Sequence, residues 1–373
     1  MIELILGALI LFLLLADQIW TWRKPISPRL YLPSTRLGWT LTPRIEKQVE
    51  LRHKGALVYQ NTIRINSHGF NEREWGEKQP GRNRVLVMGD SIIESRQVPV
   101  KQNFVARAEQ LLNTDHAPQY ELFNIGVAGW SVDSVLNYLQ HFGRRLEPDL
   151  VVLGLFTGND LVEGDYQTFR YLFAYAWDCR RYDKPAFSLK DGKLSRSNYP
   201  AWRNVIGRFL SVDLYTHSRT FRFGYQRFNR VMAQRYNGSN LLRAAGISYN
   251  MHMEQTKGNE FFYTQSEAQV DALAAECRTL GAKFGILLEP NFPLFYPLTE
   301  TDPTSRAYRE YQCDLKHYRE MQQRLSKKYP LLSLIEPLHS AGQTITFKPG
   351  DPHFNLAGHE LVAGQLADLI RRV

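Results

Sequence analysis

Four short blocks of the chain carry the residue types that acyl chemistry needs. They are Gly89-Asp90-Ser91, the stretch from Asn124 through Gly129 to Ser131, Thr157-Gly158-Asn159-Asp160, and the loop holding Asp351 and His353. A serine hydroxyl is a weak nucleophile until a base takes its proton, and a histidine oriented by a carboxylate is the usual base. Acyl transfer also needs donors aimed at the oxyanion that develops on the carbonyl. Ser91 as nucleophile, His353 as base and Asp351 as the acid orienting its ring would meet the first need. The backbone N–H groups of Ser91 and Gly129, with the side-chain amide of Asn159, would meet the second.

Each block alone has a plainer reading. Ser91 is a helix cap by type, Gly126 and Gly129 are turn residues, Asn159-Asp160 is a helix start, and His353 is a histidine in a proline-rich loop. Among their neighbours, His359 reads as structural and Asp90 as a partner for backbone amides of the adjoining loops. Asp160 reads as a helix cap and Glu94 as solvated.

The elements that must position these residues are legible as well. Arg84–Gly89 is a short apolar run ending at a glycine turn, the pattern of a strand buried on both faces. Tyr120–Gly126, Asp149–Phe156, Ala282–Pro290 and Leu331–Pro337 repeat it, and helical spacing appears over Phe104–Leu112, Ser131–Phe142, Gln265–Gly281, Arg306–Lys328 and Leu356–Arg372. Strands alternating with helices predict right-handed βαβ units and a doubly wound α/β domain. Ligands of such sheets bind beyond the carboxyl ends of the strands. The first three blocks fall there, and the Asp351/His353 block precedes the last helix.

Two further regions flank this pattern. Residues 25–83 are rich in Pro, Arg and short β-like runs and read as an arm packed on the main domain. Residues of about 161–258 interrupt the alternation with Phe169–Tyr182, a hairpin signal at Asp191-Gly192, and Ser218–Tyr236, where arginines and aromatics interleave. This predicts a helical insertion whose aromatics pack on the domain while its arginines face water, lying over the site as a lid or platform.

At the N-terminus, Leu4–Ala16 lacks any charge, Asp17 follows, and Trp20 and Trp22 precede Arg23 and Lys24. A bilayer core asks for about twenty apolar residues, which the run approaches only if extended to Trp22, with tryptophans at the interfacial position. The first residues carry no base and no small-x-small cleavage site follows, so residues 1–24 are expected to be an uncleaved membrane anchor. Basic residues just after it would keep the body cytoplasmic by the positive-inside rule.

The chain has 373 residues, 43% of them hydrophobic, enough for one large core and a subdomain. A net charge of +9 favours acidic surfaces, anionic lipid and nucleic acid among them. Nucleic acid is not the expected partner, because no helix-turn-helix pattern, zinc spacing or arginine-rich tail accompanies the charge. Cys179, Cys277 and Cys313 are widely spaced and form no CxxC pair, so neither a zinc site nor a disulfide framework is indicated, although one bridge would be allowed.

Taken together, GDS, the glycine block, GND and the Asp/His block resemble the SGNH (GDSL-like) hydrolases. Ser91, Gly129, Asn159 and His353 match the four namesake positions and Asp351 the usual acid. The resemblance covers roughly residues 84–160 and 265–373, and the arm segment INSHGFNERE (Ile65–Glu74) is similar to bacterial members. It implies a flavodoxin-like three-layer sandwich over 84–373, ester hydrolysis or acyl transfer on an acylated glycan or lipid, and no cofactor or metal. Anchored relatives face the cell envelope, which implies a periplasmic body, against the charge rule. Two departures stand out. Asp351 lies two residues before His353 where three is common, and Ile92, Ile93 and Ser95 differ from the usual residues after the nucleophile. The rival readings are a catalytically silent binding or scaffold protein of the same fold and, with less behind it, a nucleic-acid-binding protein.

Overall fold

The structure, a computed structural model, describes residues 2–23, 28–113, 119–173, 176, 180, 182–190, 192–196, 202–245, 247–341 and 345–373. The chain opens with helix α1 (Ile2–Arg23). The arm follows as two antiparallel hairpins, β1 (Tyr31–Ser34) with β2 (Gly38–Leu41) and β3 (Glu46–His53) with β4 (Ala56–Arg64). The main domain then runs β5 (Asn83–Gly89), α2 (Ser91–Glu94), α3 (Phe104–Leu112), β6 (Tyr120–Gly126), α4 (Val132–Leu146) and β7 (Leu150–Phe156). The insertion holds α5 (Asp160–Glu163), α6 (Tyr166–Phe173), the hairpin β8 (Phe187–Lys190) and β9 (Lys193–Arg196), α7 (Trp202–Arg208), the short α8 (Tyr215–His217), α9 (Arg219–Tyr236), α10 (Gly238–Ala245) and α11 (Tyr249–Gln255). The main domain resumes with α12 (Asn259–Thr279), β10 (Lys283–Glu289), α13 (Arg306–Ser326), β11 (Leu331–Ser333), α14 (Ile335–Ala341) and α15 (Leu356–Arg372).

Five parallel strands form the central sheet in the order β6-β5-β7-β10-β11. Numbered within the sheet this is 2-1-3-4-5, the flavodoxin-like winding whose direction reverses between its first and third strands. Side chains alternate across it because successive residues of a strand point to opposite faces. Leu86 and Met88 of β5 join one core with residues of α4, α12 and α13, while Val85 and Val87 join the other with α3 and α15. The sheet is thus covered on both sides, as the apolar runs predicted.

The structure departs from expectation at several points. The fifth strand stops at Ser333, and Ile335–Ala341 forms α14, with Pro337 in its first turn, where a missing N–H costs no helix bond. Helix α12 begins at Asn259, six residues ahead of the expected start. Cys277 and Cys313 are free and buried, and Cys179 lies outside the described residues, as does Asp191 of the hairpin. The insertion only half obeys its pattern: Phe169, Phe173 and Tyr182 are buried, but Trp202, Phe209, Phe223 and Phe228 are exposed. The N-terminal run is helical, yet among the described residues no helix is long and apolar enough to cross a membrane.

Candidate active site

The winding reversal opens a crevice between the carboxyl ends of β5 and β7, and Ser91 and Asn159 stand on its two sides. Ser91 is the first residue of α2. The cap belongs to its neighbour, since the buried Asp90 carboxylate accepts from Ile92 N at 2.8 Å, so the Ser91 hydroxyl is not spent on capping. Gly126 fixes how α2 sits: a Cβ there would lie 2.1 Å from Glu94 N, so only glycine lets α2 rest on the end of β6. The buried Asn124 ties the same junction, donating to Ile93 O and accepting from Gly126 N at 2.9 Å.

His353 comes from a loop 262 residues away and places Nε2 3.0 Å from Ser91 Oγ. Its Nδ1 lies 2.6 Å from Asp351 Oδ1, which also accepts the His353 backbone N–H at 2.9 Å. The two-residue spacing therefore serves as a local turn, one carboxylate oxygen gripping both backbone and ring. Asn355 caps α15 directly after it, accepting from Ala357 N and Gly358 N, which anchors the loop to the helix. Burial works against the Asp351 charge, but the hydrogen bonds and charge of His353 hold its pKa down to about 2. The Phe292 ring meets the His353 ring edge-on at 5.4 Å.

The loop after β6 presents Gly129 with φ +78°, a left-handed turn that brings it beside Ser91. Its neighbour is held by Glu94, whose carboxylate accepts from Ala128 N at 2.7 Å and from the Tyr31 hydroxyl at 2.8 Å. Glu94 is therefore not solvated as expected. It is 1% exposed and links nucleophile helix, glycine loop and arm. Asn159 occupies the N-cap position of α5 without making the capping bond, and Glu163 one turn on engages both Asn159 and, at 3.1 Å, Arg180 of the insertion.

Ser91, Gly129, Asn159 and His353 line one cavity of about 470 Å³. Tyr31 adds a wall from the arm, and Arg180, Ser248 and Tyr249 add walls from the insertion. Arg180 lies against Gly129 itself, where a Cβ would meet its Cγ at 2.6 Å. Asp351 sits behind His353 and is not among the cavity's lining residues. All five residues expected from sequence are thus brought to one place. Glu94, Tyr31 and Arg180 were missed. The signal for Glu94 was an acid straight after Ile92-Ile93, in a stretch otherwise set to be buried, whereas Tyr31 and Arg180 lie in regions whose path the βαβ pattern does not predict.

Below the crevice lies a group of buried carboxyls. Asp160 does not cap its helix through its side chain but turns back to accept from Phe156 N at 2.9 Å. Burial first, and then the neighbouring Asp90, push Asp160 and Glu289 well above the carboxylate range, and burial raises Asp90 to about 7. The shift toward neutral forms matters here, because fixed negative charge beneath the crevice would oppose an oxyanion forming above it.

Two other groups were weighed as participants. His359 is buried in α15, where Nδ1 accepts from Phe104 N at 3.2 Å, and burial lowers its pKa to about 3, so it is a neutral structural ring. Among the described residues, Glu254, Cys313 and His317 bring donor atoms within 4.8 Å of one another. None of the three lines the cavity, and burial raises the thiol to about 12 and lowers the imidazole to about 4, leaving both neutral.

No family model matches the chain and no curated protein matches it. Solved structures align over most of the chain at low identity. The acetyl xylan esterase AlAXEase is 12% identical, with a TM-score of 0.41, over 77% of this chain and 99% of its own. TesA is 14% identical, with a TM-score of 0.38, over 78% and 99%. Axe2, an acetylxylan esterase from Geobacillus stearothermophilus, is 14% identical, with a TM-score of 0.39, over 79% and 96%. At these values the likeness carries no weight for activity or for family membership.

Proposed function

We propose that the protein is a serine esterase or O-acyltransferase acting on an ester-linked acyl group. The observation that carries this reading is the chain Asp351–His353–Ser91, with contacts of 2.6 and 3.0 Å running from a buried carboxylate to a hydroxyl at the floor of an open cavity. Ser91 Oγ attacks the ester carbonyl while His353 Nε2 takes its proton, and Asp351 stabilises the imidazolium that results. The tetrahedral oxyanion is met by the N–H groups of Ser91 and Gly129 and by the amide of Asn159. Collapse breaks the C–O bond, and His353 returns its proton to the departing alkoxide, releasing an alcohol. Water, or the hydroxyl of a second acceptor, then attacks the acyl-serine while His353 takes its proton, and collapse breaks the bond to Ser91 Oγ, which receives that proton back as the acid or the new ester leaves. No step calls on a metal or cofactor.

The cavity suits a small acyl group on a polar carrier. Phe156 and Phe292 provide apolar surface near the nucleophile, and Arg96, Arg180 and Arg306 line the outer walls, which fits an acylated glycan or a lipid headgroup. An envelope location, with the body extracytoplasmic, belongs to the same proposal, and a periplasm-dependent reporter fused to the C-terminus tests it.

The test of the chemistry is hydrolysis of p-nitrophenyl acetate by the full chain, by Ser91→Ala and by His353→Ala. Both variants should lose essentially all turnover, and a fluorophosphonate probe should label the parent protein at Ser91. Equal rates in all three proteins, or labelling elsewhere, would sink the serine mechanism.

A further inference from the structure

The insertion shows an inverted helix. In α7 the positions that recur on one face, Trp202, Val205, Ile206 and Phe209 just beyond its end, are all exposed, while Asn204 on the other side is 2% exposed. In a helix that packs its apolar stripe on the domain the pattern runs the other way. Helix α9 repeats the inversion: Phe223, Phe228 and Val231 stand exposed, and its fully buried residue is Ala233. Phe223 alone is 70% exposed.

Helix α1 has the same character carried further. Leu11 to Leu15 are five consecutive apolar positions, each more than half exposed, so this stretch of the helix is uncovered on every side. It is nevertheless fixed to the insertion. The buried Asp17 accepts from Thr220 N at 2.9 Å and from Thr220 Oγ1 at 3.0 Å, Gln18 donates to His217 O, and the Arg219 guanidinium lies over the Trp20 ring at 5.3 Å. The end of α1 therefore seats on the start of α9, and the uncovered surfaces adjoin.

Charge identifies what covers them. Residues 202–236 contain seven arginines and a single acid, Asp213. On α9, Arg227 and Arg235 share the exposed side with Phe223, Phe228 and Val231. Exposed aromatics and aliphatics with long cationic side chains among them are the composition of a helix lying in the headgroup region of a bilayer. A nucleic acid would use the arginines and aromatics but has no use for Val205, Ile206, Val231 or the leucines of α1.

We propose that the exposed faces of α1, α7 and α9 form one docking surface for a bilayer rich in anionic lipid. The insertion rests in the headgroup layer beside α1, and the same segment supplies Arg180, Ser248 and Tyr249 to the catalytic cavity.

The experiment places a photoreactive p-benzoylphenylalanine at Phe209, at Phe228 or, as a reference, at Leu13 of the full chain. Each protein is reconstituted into nanodiscs of phosphatidylcholine alone or with 30% phosphatidylglycerol, an amount of about one anionic lipid in three. After irradiation, adducts are identified by mass. Phospholipid adducts are expected at 209 and 228, increasing with phosphatidylglycerol. Reversing Arg227 and Arg235 to Glu should cut the Phe228 adduct by about fivefold or more for each charge, with the Leu13 adduct and the thermal midpoint unchanged. Lipid adducts at Leu13 with none at 209 or 228 would mean that the insertion stands clear of the bilayer. Adducts to a second copy of the chain would make the face a self-association surface. Co-purifying nucleic acid crosslinked at these positions would favour the polynucleotide. Each of these three results overturns the proposal.

Discussion

At the scale of single residues, the site divides into groups whose type betrayed them and groups whose surroundings define them. Ser91, Gly129, Asn159, Asp351 and His353 were legible because their chemistry is scarce, the first three falling at strand ends and the last two just before the final helix. The two-residue spacing of Asp351, a departure from the common three, has a geometric reason, since Oδ1 serves both N and Nδ1 of His353. Asp351→Asn should lower kcat by about 10⁴-fold, because an amide cannot favour the imidazolium and supports the wrong tautomer. Near-parental turnover would place the orienting acid elsewhere. With its pKa at about 2, Asp351 also contributes stability that is present above the unfolded value near 4 and fades as pH falls toward 2. Acid unfolding of the Asn variant should therefore lack that part of the transition. For Asn159→Ala we expect kcat to drop by about 10²–10³-fold with KM little changed, as for the loss of one oxyanion donor. A change confined to KM would make Asn159 a substrate-binding residue instead.

Among the elements, the sheet was predictable from apolar run lengths and glycine punctuation, and its five strands sit where the pattern put them, apart from the short β11. What periodicity could not convey is how a four-residue helix is held in place. Helix α2 has no stripe of its own to read. Its seat is made by Gly126 below, Asn124 beside it and Glu94 reaching to the glycine loop and the arm. Gly126→Ala should push α2 off β6, and fluorophosphonate labelling of Ser91 should fall with it while the circular dichroism of the sheet and helices is kept. Glu94→Ala removes the carboxylate that accepts from Ala128 N and the Tyr31 hydroxyl, costing about 1–3 kcal/mol. A lower melting temperature together with a lower kcat would show that Glu94 positions the loop. A lower melting temperature at full kcat would reduce it to scaffolding. The insertion was the least legible element, because interleaved arginine and phenylalanine look alike whether the aromatics face a core or a bilayer.

Over the whole molecule, buried ionisable groups set a pH dependence that no stretch of sequence announces. Glu72, Asp90, Asp160, Glu163, Glu289 and Asp314 are all raised by burial, so each contributes stability that is complete below the ordinary carboxylate range and is lost as pH rises through its folded value, about 7 for Glu72, Asp90 and Asp314. His252, His317 and His359 are lowered by burial and act oppositely, contributing above about pH 6.5 and losing it as pH falls. Because Glu72, Asp90 and Asp314 take up their protons in the folded protein at about 7, while unfolded imidazoles do so only near 6.5, the melting temperature is predicted to rise as pH is lowered from 8 to about 6. A flat or falling profile in differential scanning fluorimetry would contradict this balance. The arm has a consequence of another kind. Tyr31 lines the cavity, and only seven residues of chain lie between it and Arg23 at the end of α1. The eight Cα-to-Cα steps this makes reach at most about 29 Å even when fully stretched. The arm is therefore a short leash: were α1 held on a surface, the cavity could work only within a shell a few nanometres deep around it and would meet its substrates by moving along that surface.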